Sequence, residues 1–453
     1  MKLIQWDETG GVTASTGACD AWIKSHLDLT ALHGETEYIR HAFLLDVDGD
    51  GKPELITRTG NANRARAIRI DTGETVWVSP DIAPPPEQSA QISQLEVGDL
   101  DEDGRPEVIL ATYQGDVICL SALDGSLKWH RKLDHHINNP TLKMAKVVPG
   151  RGHNLVFVVG EDFDWVTHHG RPRINFVRKP NLLVLDADGS DALFIPEYAE
   201  HNGNSHGTWA FDLDDDGLFE VACCGDNRVI WFDHKGARLF ELPCKPEGNS
   251  PHAHPDFMVF EDFLQDRSGK EIIYLNGTDG IIIADAGGNV LFDETFSTDI
   301  ASHLQQLMVL PDPDGPFLFG ANIRSRDSKL LCFDSALQLV WAAQMENDMI
   351  GVHHADIDGD GREEIITGSH GRDIFSPDAA EGCSLQVMKA DGTPMYQHRW
   401  PGESACGVLA VGDVDADGRQ EMVVSVGSHG GPEGRFSLIS GGRATLAVLG
   451  MPA

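Results

Sequence analysis

The sequence predicts an all-β fold, a β-propeller of eight four-stranded blades, with seven as the alternative count. Three observations predict it. An acidic word recurs along the chain, apolar β-branched runs flank each copy, and the copies repeat at roughly 52 residues, a repeat-architecture period.

The acidic word has five complete copies. They comprise Asp46, Asp48, Asp50 and Glu54; Asp99, Asp101, Asp103 and Glu107; Asp212, Asp214, Asp216 and Glu220; Asp356, Asp358, Asp360 and Glu364; and Asp413, Asp415, Asp417 and Glu421. Each reads D-x-D-x-D-G-x-x-E. Degenerate copies lie at residues 262–271 and 312–315, and one without carboxylates lies at 148–154.

The first strand of a blade is the apolar stretch before the word, as in Ala42, Phe43, Leu44 and Leu45. The second begins at the Glu, as in Glu364, Ile365, Ile366 and Thr367, where β-branched residues dominate. The third ends in a turn such as Asp71-Thr72-Gly73 or Ala390-Asp391-Gly392. The fourth carries an aromatic: Trp77, Trp129, Phe240, Phe292 or Trp341. Four short strands in about 50 residues make one propeller blade. Blades are expected to begin near residues 40, 91, 140, 205, 254, 303, 352 and 406. Residues 40–453 are read as one propeller domain and 1–39 as an N-terminal segment. Residues 3–6 of that segment are expected to close the ring against the last blade, because an unclosed blade leaves an open sheet edge.

Composition narrows the function classes. Lys and Arg number 35 against 71 Asp and Glu, a net charge of −36. The phosphate backbone of a nucleic acid would be repelled by it. No run of 18 apolar residues offers a membrane span, so no membrane insertion is expected. The first seven residues lack the apolar core of a secretory signal. That leaves a cytoplasmic location, or an exported one after signal removal, and the oligomeric state stays open. The eight cysteines, Cys19, Cys119, Cys223, Cys224, Cys244, Cys332, Cys383 and Cys406, show no zinc spacing and read as reduced, mostly buried thiols.

Three carboxylates at alternate positions can converge on one hard cation, and the following glycine permits a sharp turn. The first six positions match an EF-hand loop, but position twelve is Thr57, Leu110, Cys223, Thr367 and Val424 instead of a bidentate Glu. The word is therefore read as a strand–loop–strand Ca²⁺ site between strands one and two, with the Glu at position nine as support. Calcium in such loops is structural. These repeats resemble FG-GAP (VCBS-type) repeats of integrin-like propellers over nearly all the chain past residue 40, a likeness that speaks for architecture and not for function.

The rim opposite those loops carries the starts of the inner strands and the loops between strands two and three. His41, His206, His252, His254, His303, His353 and His354 stand near the inner-strand starts. The second-to-third loops hold Arg64, Arg66, Tyr113, His168, His169, Arg171, Arg173, Arg324, Arg326, His370, Arg372 and His429. An acidic chain thus gathers cationic and imidazole groups on one rim, which would focus an anionic ligand. The longest insertion, residues 160–179, adds Trp165, a platform for a sugar ring.

Among eight-bladed propellers with acidic metal loops, the chain resembles the rhamnogalacturonan lyases. The likeness rests on the acidic turns and on the words Ser205-His206-Gly207 and His252-Ala253-His254. It implies cleavage of an acidic, uronate-containing oligo- or polysaccharide by β-elimination. In that reading His206, His254, His303, His353, Arg173, Arg324 and Tyr113 are the catalytic candidates. His168, His169, Arg171, Arg64, Arg66, His370, Arg372 and Trp165 are the substrate-binding ones. Several of the histidines could instead hold a divalent transition metal at the propeller centre, since neutral imidazole suits such ions. Propeller lyases acting on oligogalacturonate imply a His-and-Gln metal site, and His303, Gln305 and Gln306 offer those residues here. Two other classes compete. One is a non-enzymatic, integrin-like propeller that binds glycan or protein. The other is a quinoprotein dehydrogenase, whose tryptophan-docking repeat residues 70–77 resemble, and whose vicinal disulfide adjacent Cys223 and Cys224 would match.

Overall fold

The computed structural model describes residues 2–4, 22–33, 39, 42–58, 64–81, 92–137, 142–150, 152–160, 162–168, 171–202, 207–245, 257–277, 280–296, 304–312, 315–322, 328–345, 349–369, 382–403, 405–427 and 444–451. Eight antiparallel sheets form eight blades, and their first strands begin at Ala42, Ile92, Lys143, Thr208, Met258, Leu304, Met349 and Ala405. First strands of most neighbouring blades contact one another, so they converge on the ring axis.

Blade 1 shows the common plan. Strands Ala42–Leu45, Glu54–Arg58, Ala65–Arg69 and Thr75–Val78 pair in sequence order. The second and third strands of each blade are buried on both faces, as the burial of Glu107–Thr112 and Asp116–Ser121 shows. The core is therefore a series of inter-blade layers. Ile56, Ala67 and Trp77 of blade 1 pack on Val108, Leu110 and Ile118 of blade 2, and Cys224, Val229 and Trp231 of blade 4 pack on Ile272, Tyr274 and Ile282 of blade 5.

Aromatic side chains on the fourth strands tie several blades to the next, while aliphatic ones do so in blades 3 and 8, where Ile195 lies against Gly236 and Leu27 against Gly73. The Trp77 indole N–H donates to the Ala122 carbonyl at 2.8 Å, Trp129 to Ala187 at 2.9 Å, and Trp341 to Ala390 at 3.0 Å. The partner turn must present a glycine to the ring. A Cβ at Gly125, where φ is +68°, would lie 2.5 Å from Trp77 Cε3. In blade 4 Phe240 fills this role against Gly288.

Ring closure differs from the sequence expectation for residues 3–6. Strand Ile23–Asp28 pairs antiparallel with Ala444–Leu449 and supplies the fourth strand of blade 8. Lys2–Ile4 instead pairs parallel with Trp341, Ala342 and Ala343, extending the outer edge of blade 6. The physical reason is alternation. Positions 23–28 run half-buried then exposed, the pattern of an outer strand with one covered face. A one-turn helix, Leu29–His33, follows; the Asp28 carboxylate caps it by accepting the Ala31 amide, and Leu29 is sealed between blades 8 and 1.

Blade 3 carries the one insertion with its own sheet among the described residues. Strands Asp162–His168 and Arg171–Arg178 form a hairpin joined by His201–Asn202. No helix among the described residues is long and apolar enough to cross a membrane.

Candidate functional site

The acidic words fold as five near-identical loops between strands one and two. The first Asp accepts two backbone amides: Asp413 takes those of Asp417 and Gly418 at 3.0 and 2.9 Å, and Asp46 those of Gly49 and Gly51 at 2.7 and 2.9 Å. The third Asp accepts the amide two residues on, as Asp103 does from Arg105 at 2.8 Å. Gly51, Gly104, Gly217, Gly361 and Gly418 take φ between +83° and +87°, which explains the glycine at position six.

The Glu at position nine is buried in every copy, and its Oε2 accepts the amide seven residues earlier: Val47, Leu100, Leu213, Ile357 or Val414. It locks the loop. The lock outlasts the loop's aspartates, since Asn154 does the same for Val147 in blade 3 and Glu271 for Leu264 in blade 5. Burial raises the pKa of Glu54, Glu220 and Glu421, and it pushes Glu364 up to about 7.

In each loop three carboxylate oxygens lie within 4.8 Å of one another. They belong to Asp46, Asp48 and Asp50; Asp99, Asp101 and Glu107; Asp212, Asp214 and Glu220; Asp356, Asp358 and Asp360; and Asp413, Asp415 and Glu421. The set is all oxygen, as hard divalent cations prefer. Two further observations fit a cation. Asp101 Oδ1 is shielded from water and has no hydrogen-bond partner among the described residues. And Lys24 Nζ sits against Asp415, Asp417 and Glu421 at 2.9, 3.0 and 2.7 Å, an ammonium among the same oxygens. The residues fit a metal ion.

At the opposite rim the expected residues separate. Arg64 is half-buried and held by the Asp81 carboxylate through two contacts of 2.6 Å. Arg66 is not in a turn. It is buried within its strand, between Thr57 and Val78. His353 lies in the first strand of blade 7, where burial, with neighbouring His354, lowers its pKa and keeps it neutral. The adjacent His354 has its Nδ1 2.5 Å from Glu363, and both histidines stand near the end of the strand that leads into the acidic loop, not at its start. Arg324, Arg326, His41, His169, His206, His252, His254, His303, His370, Arg372 and His429 lie outside the described residues, and so does any ring of imidazoles at the centre.

Tyr113 stays a candidate, in the second-to-third turn of blade 2. Its carbonyl accepts the Ile137 amide at 3.0 Å. Strand His136–Ile137 then pairs with blade 3, His136 opposite Gly160, directly before the hairpin. In the hairpin His168 is paired with Arg171, Val166 with Arg173, and Trp165 with Ile174. Positions 166, 168, 171 and 173 therefore share one face of the ribbon and position 165 falls on the other. His136 is a group that sequence reasoning missed. Burial, Lys132 and His135 depress its pKa, so it is held as neutral imidazole. Nearby, Asp116 gathers Lys132 at 2.8 Å and His130 at 3.0 Å.

Cys223 and Cys224 are free, buried thiols, against the disulfide that a quinoprotein likeness implied. They are adjacent in strand Glu220–Gly225, so they face opposite sides, Cys223 toward blade 3 and Cys224 toward blade 5.

Comparisons follow this geometry. Among curated proteins none matches the chain in sequence. The Sqt1 structure from Saccharomyces cerevisiae superposes with a TM-score of 0.59 at 12% identity, covering 95% of this chain and 99% of that one. A europium-containing methanol dehydrogenase gives 0.58 at 9%, covering 95% and 93%. The quinohemoprotein alcohol dehydrogenase of Comamonas testosteroni gives 0.56 at 14%, covering 94% and 76%. At such identities the likeness is one of fold. Residues 46–110, the first two acidic loops and the strands around them, match the model of the FG-GAP-like repeat, and the chain is an eight-bladed β-propeller that carries that repeat in its first two blades.

Proposed function

We propose that the chain is a lyase for acidic, uronate-bearing glycans, acting by β-elimination at the rim opposite the acidic loops. The observation that carries the reading is a grouping within a chain of net charge −36. Tyr113 and His136 stand at the junction of blades 2 and 3, and the hairpin that carries positions 168, 171 and 173 begins directly after Gly160, the partner of His136. Such a rim draws a polyanion while the rest of the surface repels it.

The chemistry assigns the roles. A base removes the proton from the carbon next to the substrate carboxylate. The electron pair forms a carbon–carbon double bond, and the neighbouring glycosidic C–O bond breaks. The leaving oxygen takes a proton. Arg171 and Arg173 would neutralise the carboxylate, bidentate guanidinium being suited to it. His136, held neutral, is the base candidate, and Tyr113 is the candidate for returning a proton. The acidic loops would hold Ca²⁺ through Asp48, Asp101, Asp214, Asp358, Asp415 and their neighbours, a support that stiffens the blades and takes no part in the reaction.

Pectic, glucuronan and ulvan-type polysaccharides are the test substrates, with ultraviolet absorbance of the unsaturated product as the readout. A rise lost in His136→Ala and Tyr113→Phe is expected. Binding of these polymers without any product would make the chain a glycan-binding propeller and overturn the enzyme reading.

A further inference from the structure

The acidic loops are not all neutralised in the same way. Two positions in each blade can bring a side chain up to the loop. One is the third-strand position opposite the Glu of position nine. The other is the bulge residue in the fourth strand, where the pairing register shifts by one. In blade 1 these are Arg69, paired with Glu54, and Val76. In blade 2 they are Ser121, paired with Glu107, and Lys128. Continuing the pairing of Ile365 with Met388 gives Lys389 and Met395 in blade 7, and that of Met422 with Leu449 gives Gly450 and Lys24 in blade 8.

Each of these four blades therefore has one cation, delivered by one route or the other. It is always seated on the loop. The Arg69 guanidinium touches Asp48 and lies 3.2 Å from Asp50. Lys128 Nζ is 3.0 Å from Asp101 and 2.7 Å from Glu107. Lys389 Nζ is 2.9 and 3.1 Å from Asp358 and Asp360, and Lys24 touches three carboxylates. Where the fourth strand delivers the lysine, the third-strand position is small. A Cβ on Gly450 would sit 3.1 Å from Lys24 Cε and 3.0 Å from Glu421 Cγ.

The three blades with incomplete words have no cation at either position. They carry Asp186 and Ala192, Asp285 and Leu291, and Asp334 and Val340. Resident cation and complete acidic word thus go together, with one exception. Blade 4 has the full word, with Asp215 as a further carboxylate, yet Asp233 and Leu239 fill its two positions. Among the described residues no Lys or Arg pairs with Asp212, Asp214, Asp216 or Glu220.

We propose that Arg69, Lys128, Lys389 and Lys24 are built-in counter-ions that serve their loops without metal, and that the blade 4 loop, residues 212–220, depends on a bound hard divalent cation of the calcium class. The inference rests on the reading that these loops accept metal and says which of them needs it. The independent mark of a cation is the stand-in itself: in four sibling loops an ammonium or guanidinium sits on the oxygens that would ligate an ion. A dication entering those loops must displace or crowd that positive charge. In blade 4 it meets carboxylates alone, and affinity in such loops rises with ligand charge.

Metal-stripped, full-length protein is titrated with Ca²⁺ by calorimetry. One ion per chain is expected to bind at least about 100-fold tighter than any other, a span that ligand charge can produce in such loops. Asp214→Asn should abolish that tight step. Leu239→Lys, a change at an exposed position, supplies blade 4 with the missing ammonium. It should remove the tight step too, while leaving the melting curve insensitive to chelator. Conversely, Lys128→Met should add a second tight ion. Five equivalent ions, or a tight step that survives Leu239→Lys, would overturn the inference while leaving metal binding by the loops intact. An absence of any binding at millimolar Ca²⁺ would sink the metal reading as well.

Discussion

Truncating Trp77 tests whether the indole contacts are what hold one blade to the next. The side chain is 7% exposed, packs on Gly125 and donates to the Ala122 carbonyl at 2.8 Å. Removing a buried Trp to Ala costs about 3–5 kcal/mol. The Ala122 carbonyl also loses its donor, worth ~1 kcal/mol. Melting entropy of about 2.1 cal/mol/K per residue gives ~1 kcal/mol per degree for this chain, so Tm should fall by ~4–6 °C. Trp77→Phe isolates the hydrogen bond, since Phe240 fills the same role in blade 4, and should lower Tm by ~1–2 °C. Differential scanning calorimetry on metal-saturated protein reads both variants. A Trp77→Ala protein melting within a degree of the parent would refute the account of inter-blade docking.

Two further outcomes follow from the same coordinates. Burial holds the Glu364 carboxyl up at about 7, above its ordinary 4.5, so the folded chain keeps a proton that the unfolded chain releases. That contribution is complete below the ordinary value and is lost as pH rises through about 7. Metal-free protein should therefore lose thermal stability between pH ~5 and ~8, and Glu364→Gln should flatten that slope; an unchanged slope in the variant would count against the assignment. Deleting residues 1–28 removes Lys24 and bares the edge of Ala444–Leu449. Light scattering should then report dimers or larger species, because an open edge recruits another strand; a monomer with the parental Tm would contradict the role given to Ile23–Asp28.

Much of the architecture is legible because it is local. The acidic word, its glycine and the β-branched run after it lie within about a dozen residues, and each part has its own physical cause. Blade starts fall within a few residues of where the repeat puts them, Ala42, Ile92 and Ala405 among them. What the sequence hides is set by partners far along the chain. Ile23–Asp28 looks like an unremarkable polar stretch until Ala444–Leu449 lies beside it. The pairing of Lys2–Ile4 with Trp341, Ala342 and Ala343 leaves no trace in a three-residue word. Arg66 sits one pleat deeper than its place near a turn suggests, because the register with Thr57 carries it into the sheet. His136 gains its place at the candidate site only through pairing with Gly160 of the next blade. The insertion at residues 160–179 reads as a loop because its strands pair with each other and with His201–Asn202, outside the blade repeat. The resident cations escape notice in sequence because two different strand positions supply them, so no single column of the repeat shows a lysine or arginine.

The blade that finishes the ring is assembled from segments far apart in the polypeptide, and this has a consequence for biosynthesis. Strand Ile23–Asp28 leaves the ribosome roughly 420 residues ahead of its partner, Ala444–Leu449. At a translation rate of about 5–20 residues per second, the early strand waits roughly 20–80 s before its mate exists. Nascent blades can stack meanwhile, yet circularisation waits for the later strand, and a ribosome stalled anywhere upstream of it leaves an arc with two sticky rims for chaperones to guard.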